Sequence, residues 1–374
     1  MRPANGASIW REWGWGKTCA SALRSIPQSL CPSTAKERFI LTADYTRSWK
    51  IGSLKLSNPL LLAPLSGISD LPFRLLAKEQ GCALVFTGMV SAEGLIRNRK
   101  KSEKLLQTCP EESPLAVQIF GARPETMAEA ARVVEDMGAD VLDINMGCPV
   151  RKVVQGGSGA ALLKDLERAR AIIQLVRKAV SIPLTLKVRT GWDEKNLNIL
   201  ETGRMAEECG VDALTIHGRT RAQGYGGKAD WNIIARAKEH LKIPVIGNGD
   251  LTSLQAVMDF FAQTNCDGAM IGRGALGNPW IFRQALEILR GELPRAPTLK
   301  EKEAMILRHL GMVVDMRGET HGLKEFRKNI IWYTRGLRDN AHFRSRIPFW
   351  KMVSEVSEQI KEYFQKIDSP LFFT

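Results

Sequence analysis

The sequence predicts an α/β protein, a TIM (β/α)8 barrel followed by a smaller C-terminal helical domain. Between about residues 58 and 285, eight short apolar runs alternate with segments whose apolar residues recur at helical spacing. Several runs follow a turn built on glycine, as in Met137-Gly138-Ala139-Asp140 and Cys209-Gly210-Val211-Asp212. After about residue 294 the alternation stops and the chain reads as helices. Eight βα units in roughly 230 residues fit a barrel. A doubly wound open sheet has the same periodicity, because a pattern of runs does not report closure.

The elements follow in order. Residues 1–44 hold Trp10, Trp13 and Trp15 without helical or alternating period, and more basic than acidic side chains. They lack the uninterrupted apolar core of a secretory signal. They are read as a disordered extension without chemistry; a start assigned too far upstream is preferred over an organellar presequence. The barrel is assigned to 45–293, with strands expected at Leu60–Ala63, Ala83–Thr87, Leu115–Phe120, Val141–Asn145, Leu184–Val188, Ala213–His217, Pro244–Gly247 and Gly268–Gly272. Helical spacing is clearest over Thr126–Met137, Leu166–Val180 and Leu254–Gln263. Residues 294–374 form the helical domain.

Composition bounds the function. The 374 residues are 44% hydrophobic and 25% charged, ordinary for a globular protein. The net charge of +13 suggests a polyanionic partner, nucleic acid or an anionic membrane. No apolar run approaches the length that crosses a bilayer. Seven scattered cysteines without a Cys-x-x-Cys pair argue against both a disulfide framework and a zinc site. Reduced thiols, a cytoplasmic setting and no metal are expected.

In a barrel, active-site groups sit at the carboxyl ends of the strands. Those ends carry Pro64 and Gly67, then Gln118, then Asn145 with Cys148. Lys187 and Arg189, His217 and Arg219, Asn248 and Asp250, and Gly272 with Arg273 follow on successive strands. Such a run of polar ends is hard to ascribe to chance, although each member has a bland reading. Most free cysteines are buried and structural; a lone histidine is more often a satisfied core residue. Gln118 interrupts an apolar strand and needs a hydrogen-bond partner there. Cys148 lies in Asp143-Ile144-Asn145-Met146-Gly147-Cys148-Pro149, where glycine and proline force a tight loop after a β-branched run.

Gly247-Asn248-Gly249-Asp250 and Gly272-Arg273-Gly274 fall after strands seven and eight, where barrels commonly bind phosphate. They predict a phosphorylated cofactor or substrate. Gly272-x-Gly274-x-x-Gly277 also matches a dinucleotide fingerprint, but it follows the last strand and opens no nucleotide-binding half.

Taken together, Asn-x-Gly-Cys-Pro at Cys148, Leu-Lys-Val-Arg at Lys187, His217-Gly218-Arg219-Thr220 and Gly-Asn-Gly-Asp at 247–250 closely resemble the flavin-dependent tRNA-dihydrouridine synthases. Ala63-Pro64-Leu65-Ser66-Gly67, Asp70 with Pro72-Phe73-Arg74, and Gly277-Asn278-Pro279-Trp280 extend the likeness over about residues 50–350. Cys148-Pro149-Val150-Arg151-Lys152-Val153 is most similar to the bacterial B-type branch. The resemblance implies an FMN-bound barrel that takes hydride from NADPH and reduces uridines of tRNA to 5,6-dihydrouridine. It makes Cys148 the acid that protonates C5; an unperturbed thiol, with a pKa of about 8.5, is mostly protonated at neutral pH. A nucleophilic Cys148 would require a thiolate instead and ranks second. The resemblance puts Lys187, Gln118 and His217 beside the flavin, and the backbone of Pro64, Leu65 and Ser66 along its ring. Asn248, Gly249, Asp250, Gly272 and Arg273 go to its phosphate side, and Asn145 and Arg219 to the uracil or nearby RNA.

The tail stretch 325–338, Glu-Phe-Arg-Lys-Asn-Ile-Ile-Trp-Tyr-Thr-Arg-Gly-Leu-Arg, interleaves cations with aromatics. It resembles the family's helical tRNA-binding domain, which makes Arg327 and Arg335 RNA contacts, while Trp332 and Tyr333 are expected to pack inward. Asn329 departs from relatives that often carry histidine. A monomer is expected. The alternatives are an FMN-dependent barrel oxidoreductase acting on a small pyrimidine, an RNA-binding barrel without activity, and a flavin-free phosphate-binding aldolase or isomerase. The sequence leaves open which uridine is reduced and whether NADPH or NADH serves.

Overall fold

A computed structural model describes residues 44, 45, 48–97 and 106–369, so the expected N-terminal extension lies, apart from Asp44, outside the described residues. The described chain opens with an antiparallel hairpin, β1 (Trp49–Ile51) and β2 (Leu54–Leu56), turning at Gly52 with a positive φ of 55°. Periodicity alone does not reveal it.

Eight parallel strands follow: β3 (Leu60–Leu62), β4 (Val85–Phe86), then, after a short β5 (Val90–Ser91) that returns to pair with the end of the next strand, β6 (Leu115–Phe120), β7 (Val141–Met146), β8 (Leu184–Arg189), β9 (Ala213–His217), β10 (Val245–Asn248) and β11 (Gly268–Ile271). From β4 to β11 each pairs with the next in sequence, and β11 pairs with β3. The ring closes where Leu61 bridges Leu84 and the Ala83 N–H donates to the Leu60 carbonyl at 2.9 Å. The closed TIM barrel replaces the open-sheet alternative. Strand ends shift from the sequence expectation by a residue or two, most at the second strand, where regular pairing covers Val85–Phe86 and not Ala83–Thr87.

The strands are buried on both faces, which is why they read as apolar runs. Their outward side chains pack under the helices, several of which begin at residues suited to capping. Asp70, Asp165 and Ser253 accept from the Phe73, Arg168 and Ala256 N–H groups, contacts worth about 1 kcal/mol each. Inward, the barrel is layered. Its amino end is apolar (Leu61, Leu84, Ala116, Val141, Ala213 and Ile246) and is stoppered by Ile51 and Leu56 of the hairpin. Above that layer the inward residues turn polar, and this change positions the site.

Helices Leu299–Arg317, Glu319–Tyr333, Asn340–Arg346 and Val353–Asp368 enclose a separate core including Ile306, Phe326, Phe343 and Ile360. Tyr333 is buried there as expected; Trp332 is only half-buried. Trp280, at the barrel's exit, joins that core, and Lys328 donates to the Gly67 carbonyl on the loop after β3. Gly277 has a φ of +66°, and a Cβ there would lie 2.3 Å from the Trp332 carbonyl carbon, so glycine is required where barrel and helices meet. No helix among the described residues is long and apolar enough to cross a membrane.

Candidate active site

A cavity of about 480 Å³ opens at the carboxyl ends of the strands, a size suited to a cofactor or small ligand. Its wall carries Arg151, Lys187, Arg189, Arg221 and Arg273 against one carboxylate, Asp250. That imbalance favours an anionic ligand.

Residues separated widely in sequence converge because parallel register sets their strand ends level. Asn145 lies opposite Lys187, Arg189 opposite His217, and His217 opposite Asn248. Lys187 Nζ donates to Asn248 Oδ1 at 3.1 Å. Burial pushes the Lys187 ammonium down to about 8; Asp143 opposes the shift and Arg189 adds to it. His217 is held neutral, well below the ordinary imidazole range, first by burial and then by the neighbouring cations Arg189, Lys187, Arg219 and Arg273. Gly249 has a φ of +123°, and a Cβ there would sit 2.7 Å from the Ala229 side chain and 3.1 Å from the His217 ring. Glycine therefore lets the phosphate-type loop pass close to His217.

Cys148 is partly exposed on the cavity wall. Burial raises its thiol above the ordinary value, although the Val150 backbone and Arg189 pull the other way. Asn145 Oδ1 accepts from the Gly147 N–H at 3.1 Å and the Cys148 N–H at 2.9 Å, so the strand end itself ties down the cysteine loop. Arg189 ties the same loop from the other side, donating to the Gly147 carbonyl at 2.8 Å and to the Thr220 and Gly224 carbonyls at 2.7 Å.

The residues expected at the barrel mouth line the cavity, Gly67 and Arg219 excepted. Arg219 is 2% exposed and grips Asp250 through both carboxylate oxygens, at 2.8 and 2.7 Å, and the Gly226 and Gly227 carbonyls at 3.0 and 2.7 Å. A guanidinium so engaged ties the loop after β9 to Asp250. Asp250 lines the cavity, where its carboxylate bridges Arg219 and Arg273 and takes the Ala229 N–H, which fixes where Arg273 points. Burial opposes its ionisation, but those partners outweigh burial and hold it below the ordinary carboxylate value. Gln118 and Asn145 reach the wall with amides already bonded to each other. Arg327 and Arg335 lie on the helical region, Arg327 half-buried with Nη2 on the Trp350 carbonyl at 3.0 Å and Arg335 exposed.

Tyr225 is a wall residue that the sequence pattern does not single out. Its ring lies between two guanidiniums, Arg189 at 5.7 Å and Arg273 at 5.6 Å, and forms part of the wall. The available signal is an aromatic set among glycines, Gly224-Tyr225-Gly226-Gly227, just beyond a strand end. Arg221 also lines the cavity, and its Nε is buried without a partner.

Fold and site together define a (β/α)8 barrel with a cation-lined candidate site at its strand ends. The family model described as "Dihydrouridine synthase (Dus)" matches residues 61–368. Among similar proteins, the "Probable tRNA-dihydrouridine synthase" of Rickettsia bellii is 40% identical over 323 residues, covering 85% of this chain and 98% of that one. The "tRNA-dihydrouridine synthase B" of Pasteurella multocida is 40% identical over 312 residues, covering 83% and 93%. The chain belongs to the dihydrouridine synthase family, and its similarity to B-type members extends over most of its length. Solved structures of lower identity share the fold alone. A 2-naphthoyl-CoA reductase complex has a TM-score of 0.52 at 13% identity, covering 67% of this chain and 52% of that one. The 6-hydroxypseudooxynicotine amine oxidase of Pseudomonas geniculata has a TM-score of 0.53 at 13% identity, covering 67% and 50%. The chain thus spans about half the length of those two structures.

Proposed function

We propose that this protein reduces specific uridines of tRNA to 5,6-dihydrouridine, with FMN as its bound cofactor and NADPH as reductant. The observation that carries the reading, beside family membership, is the Cys148 thiol on the wall of a cation-lined cavity at the barrel mouth. The cavity's residues fit the cofactor. Five cations face one carboxylate, Gly249 leaves room that a Cβ would fill, and Arg221 Nε awaits a partner. Arg273, Asn248, Gly249 and Gly272 would hold the phosphate, with Asp250 orienting Arg273. Lys187, Gln118, His217 and the Pro64–Ser66 backbone would line the ring.

When bound and reduced, the flavin supplies hydride for C6 of the uracil. Cys148 gives its proton to C5, which neutralises the enolate charge left by that transfer; the thiolate then regains a proton from solvent. A raised thiol pKa keeps Cys148 protonated and ready at neutral pH. Lys187, whose Nζ donates to Asn248 Oδ1, would supply a positive charge beside the ring. The target base must leave its stack to enter, a cost of a few kcal/mol that an irregular tRNA loop lowers.

The helical region, 294–374, is the proposed tRNA-binding domain, docked on the barrel, 45–293, with Arg327 and Arg335 among its phosphate contacts. Its attachment through Lys328 to the loop after β3 supports this, since an RNA held there borders the mouth. The described cysteines are all unpaired, which supports a cytoplasmic setting. The test is nucleoside mass analysis of unmodified tRNA after incubation with the purified protein, FMN and NADPH. Dihydrouridine at a defined loop position is the expected result. No dihydrouridine, with NADPH consumed when small pyrimidines are supplied, would replace tRNA by a small-molecule substrate.

A further inference from the structure

Asp143 opens the stretch that leads to Cys148, yet the proposed chemistry leaves it without a task. Its side chain is fully buried inside the barrel, level with Gln118 on β6 and Thr185 on β8. Oδ1 accepts from the Thr185 hydroxyl at 2.5 Å, and Oδ2 accepts from Gln118 Nε2 at 2.6 Å. Gln118 Oε1 in turn accepts from Asn145 Nδ2 at 2.8 Å. Asn145 Oδ1 then accepts from the Gly147 and Cys148 N–H groups.

The sense of this chain is dictated from both ends. An ionised carboxylate only accepts, so Gln118 must turn its nitrogen toward Asp143 and its oxygen toward Asn145. A backbone N–H only donates, so Asn145 must turn its oxygen toward Cys148. Both demands agree on one orientation for each amide. Without an acceptor beneath it, Gln118 is free to flip. Its nitrogen would then face Asn145 Nδ2, and the conflict would pass up to the cysteine loop. Buried amides in the wrong sense are costly, because water cannot replace the lost partner.

We propose that Asp143 is a positioning residue: it sets the direction of the Asp143–Gln118–Asn145 chain, which locks the Gly147–Cys148 backbone and so holds the thiol where a proton must be delivered. The delivery itself rests on the function proposed above; the locking does not. Burial pushes the Asp143 carboxyl up to about 6, opposed by Thr185, Gln118 and Lys187, so it remains mainly ionised at neutral pH. Asp143 also bears electrostatically on Lys187, and the test must separate that charge from the hydrogen bond.

The experiment compares Asp143→Leu, which removes acceptor and charge, with Asp143→Asn, which removes the charge but keeps an acceptor for Gln118. Hydrogen exchange of the Gly147 and Cys148 amides is measured on the flavin-loaded protein, alongside kcat and KM for tRNA. Asp143→Leu should speed exchange at those two amides roughly tenfold, the worth of about one hydrogen bond. It should lower kcat with little change in KM, and Asp143→Asn should restore most of both. Should Asp143→Asn behave like Asp143→Leu, the charge beside Lys187 is what matters and the proposal falls. Unchanged exchange in Asp143→Leu overturns it as well. If Asp143→Leu does not fold, Gln118→Leu breaks the same chain one link higher with Asp143 intact, and its Cys148 amide must also lose protection. The exchange readout stands even for a protein that makes no dihydrouridine, so failure of the locking is told apart from failure of the functional reading.

Discussion

Replacing Arg219 by leucine tests whether this strand-end arginine holds its own loop or meets the substrate. The side chain is 2% exposed and makes two bonds to Asp250 and two to loop carbonyls. Its loss leaves Asp250 with Arg273, at 3.0 Å, and the Ala229 N–H. Breaking a buried ion pair by removing one partner costs about 3–5 kcal/mol. The Asp250 side chain is 28% exposed, so water relieves part of the loss and the lower end, about 3 kcal/mol, is expected. With an unfolding entropy of about 2.1 cal/mol/K per residue, that is a fall in Tm of about 4 °C for a chain of this size. Arg219→Lys should recover less than half, since a single ammonium cannot hold Asp250 and the Gly226 and Gly227 carbonyls together as the planar guanidinium does. Thermal and denaturant melts of the three proteins give the answer, with KM for tRNA measured in parallel. A leucine variant that melts with the wild type while KM alone rises would refute the structural role and return Arg219 to the substrate.

Cys148→Ala should retain flavin yet lose roughly 10²–10⁴-fold in single-turnover uracil reduction, the span of a general-acid step; undiminished turnover would remove Cys148 as the acid. In the wild-type protein, alkylation of Cys148 followed against pH should rise with a midpoint above that of free cysteine, and a midpoint below it would favour the thiolate reading. His309, fully buried with Nδ1 3.1 Å from the Tyr333 hydroxyl, is pushed down to about 3 by burial, with Lys328 adding. The unfolded chain therefore takes up the proton first: the stability His309 contributes is complete above pH 6.5 and is lost as pH falls toward 3. The loss runs at about 1.4 kcal/mol per pH unit. Urea unfolding of wild type and His309→Leu should differ by that slope between pH 6 and 4, and parallel curves would show that His309 does not titrate with folding. Arg327→Ala combined with Arg335→Ala should flatten the dependence of tRNA affinity on salt by up to about two phosphate contacts; an unchanged slope puts the RNA path elsewhere.

Chain order and local pattern determine much of this protein. Eight apolar runs bounded by glycine turns are legible as buried parallel strands, because a strand covered on both faces has no polar alternation to hide it. Strand ends are legible too, so local pattern alone picks out Gln118, Asn145, Lys187, His217 and Asn248, and these side chains do meet around one cavity. Cys148 follows from the motif in the same way. The hairpin stopper is different. Its two strands of three residues are too short to show a period, and Ile51 and Leu56 acquire their task only when a barrel end exists to be filled.

Partners across the barrel are decided by tertiary structure alone. Arg219 meets a carboxylate 31 residues away, and Asp143 meets amide and hydroxyl groups 25 and 42 residues away on neighbouring strands. Nothing local distinguishes a strand-end arginine that faces substrate from one turned back on its own loop. The difference arises from closure and register, which bring Asp250 within 2.7 Å of Arg219 and leave Tyr225 to form the wall between Arg189 and Arg273. Residue types and chain order set which groups reach the mouth; the closed ring sets which of them are consumed in holding the others.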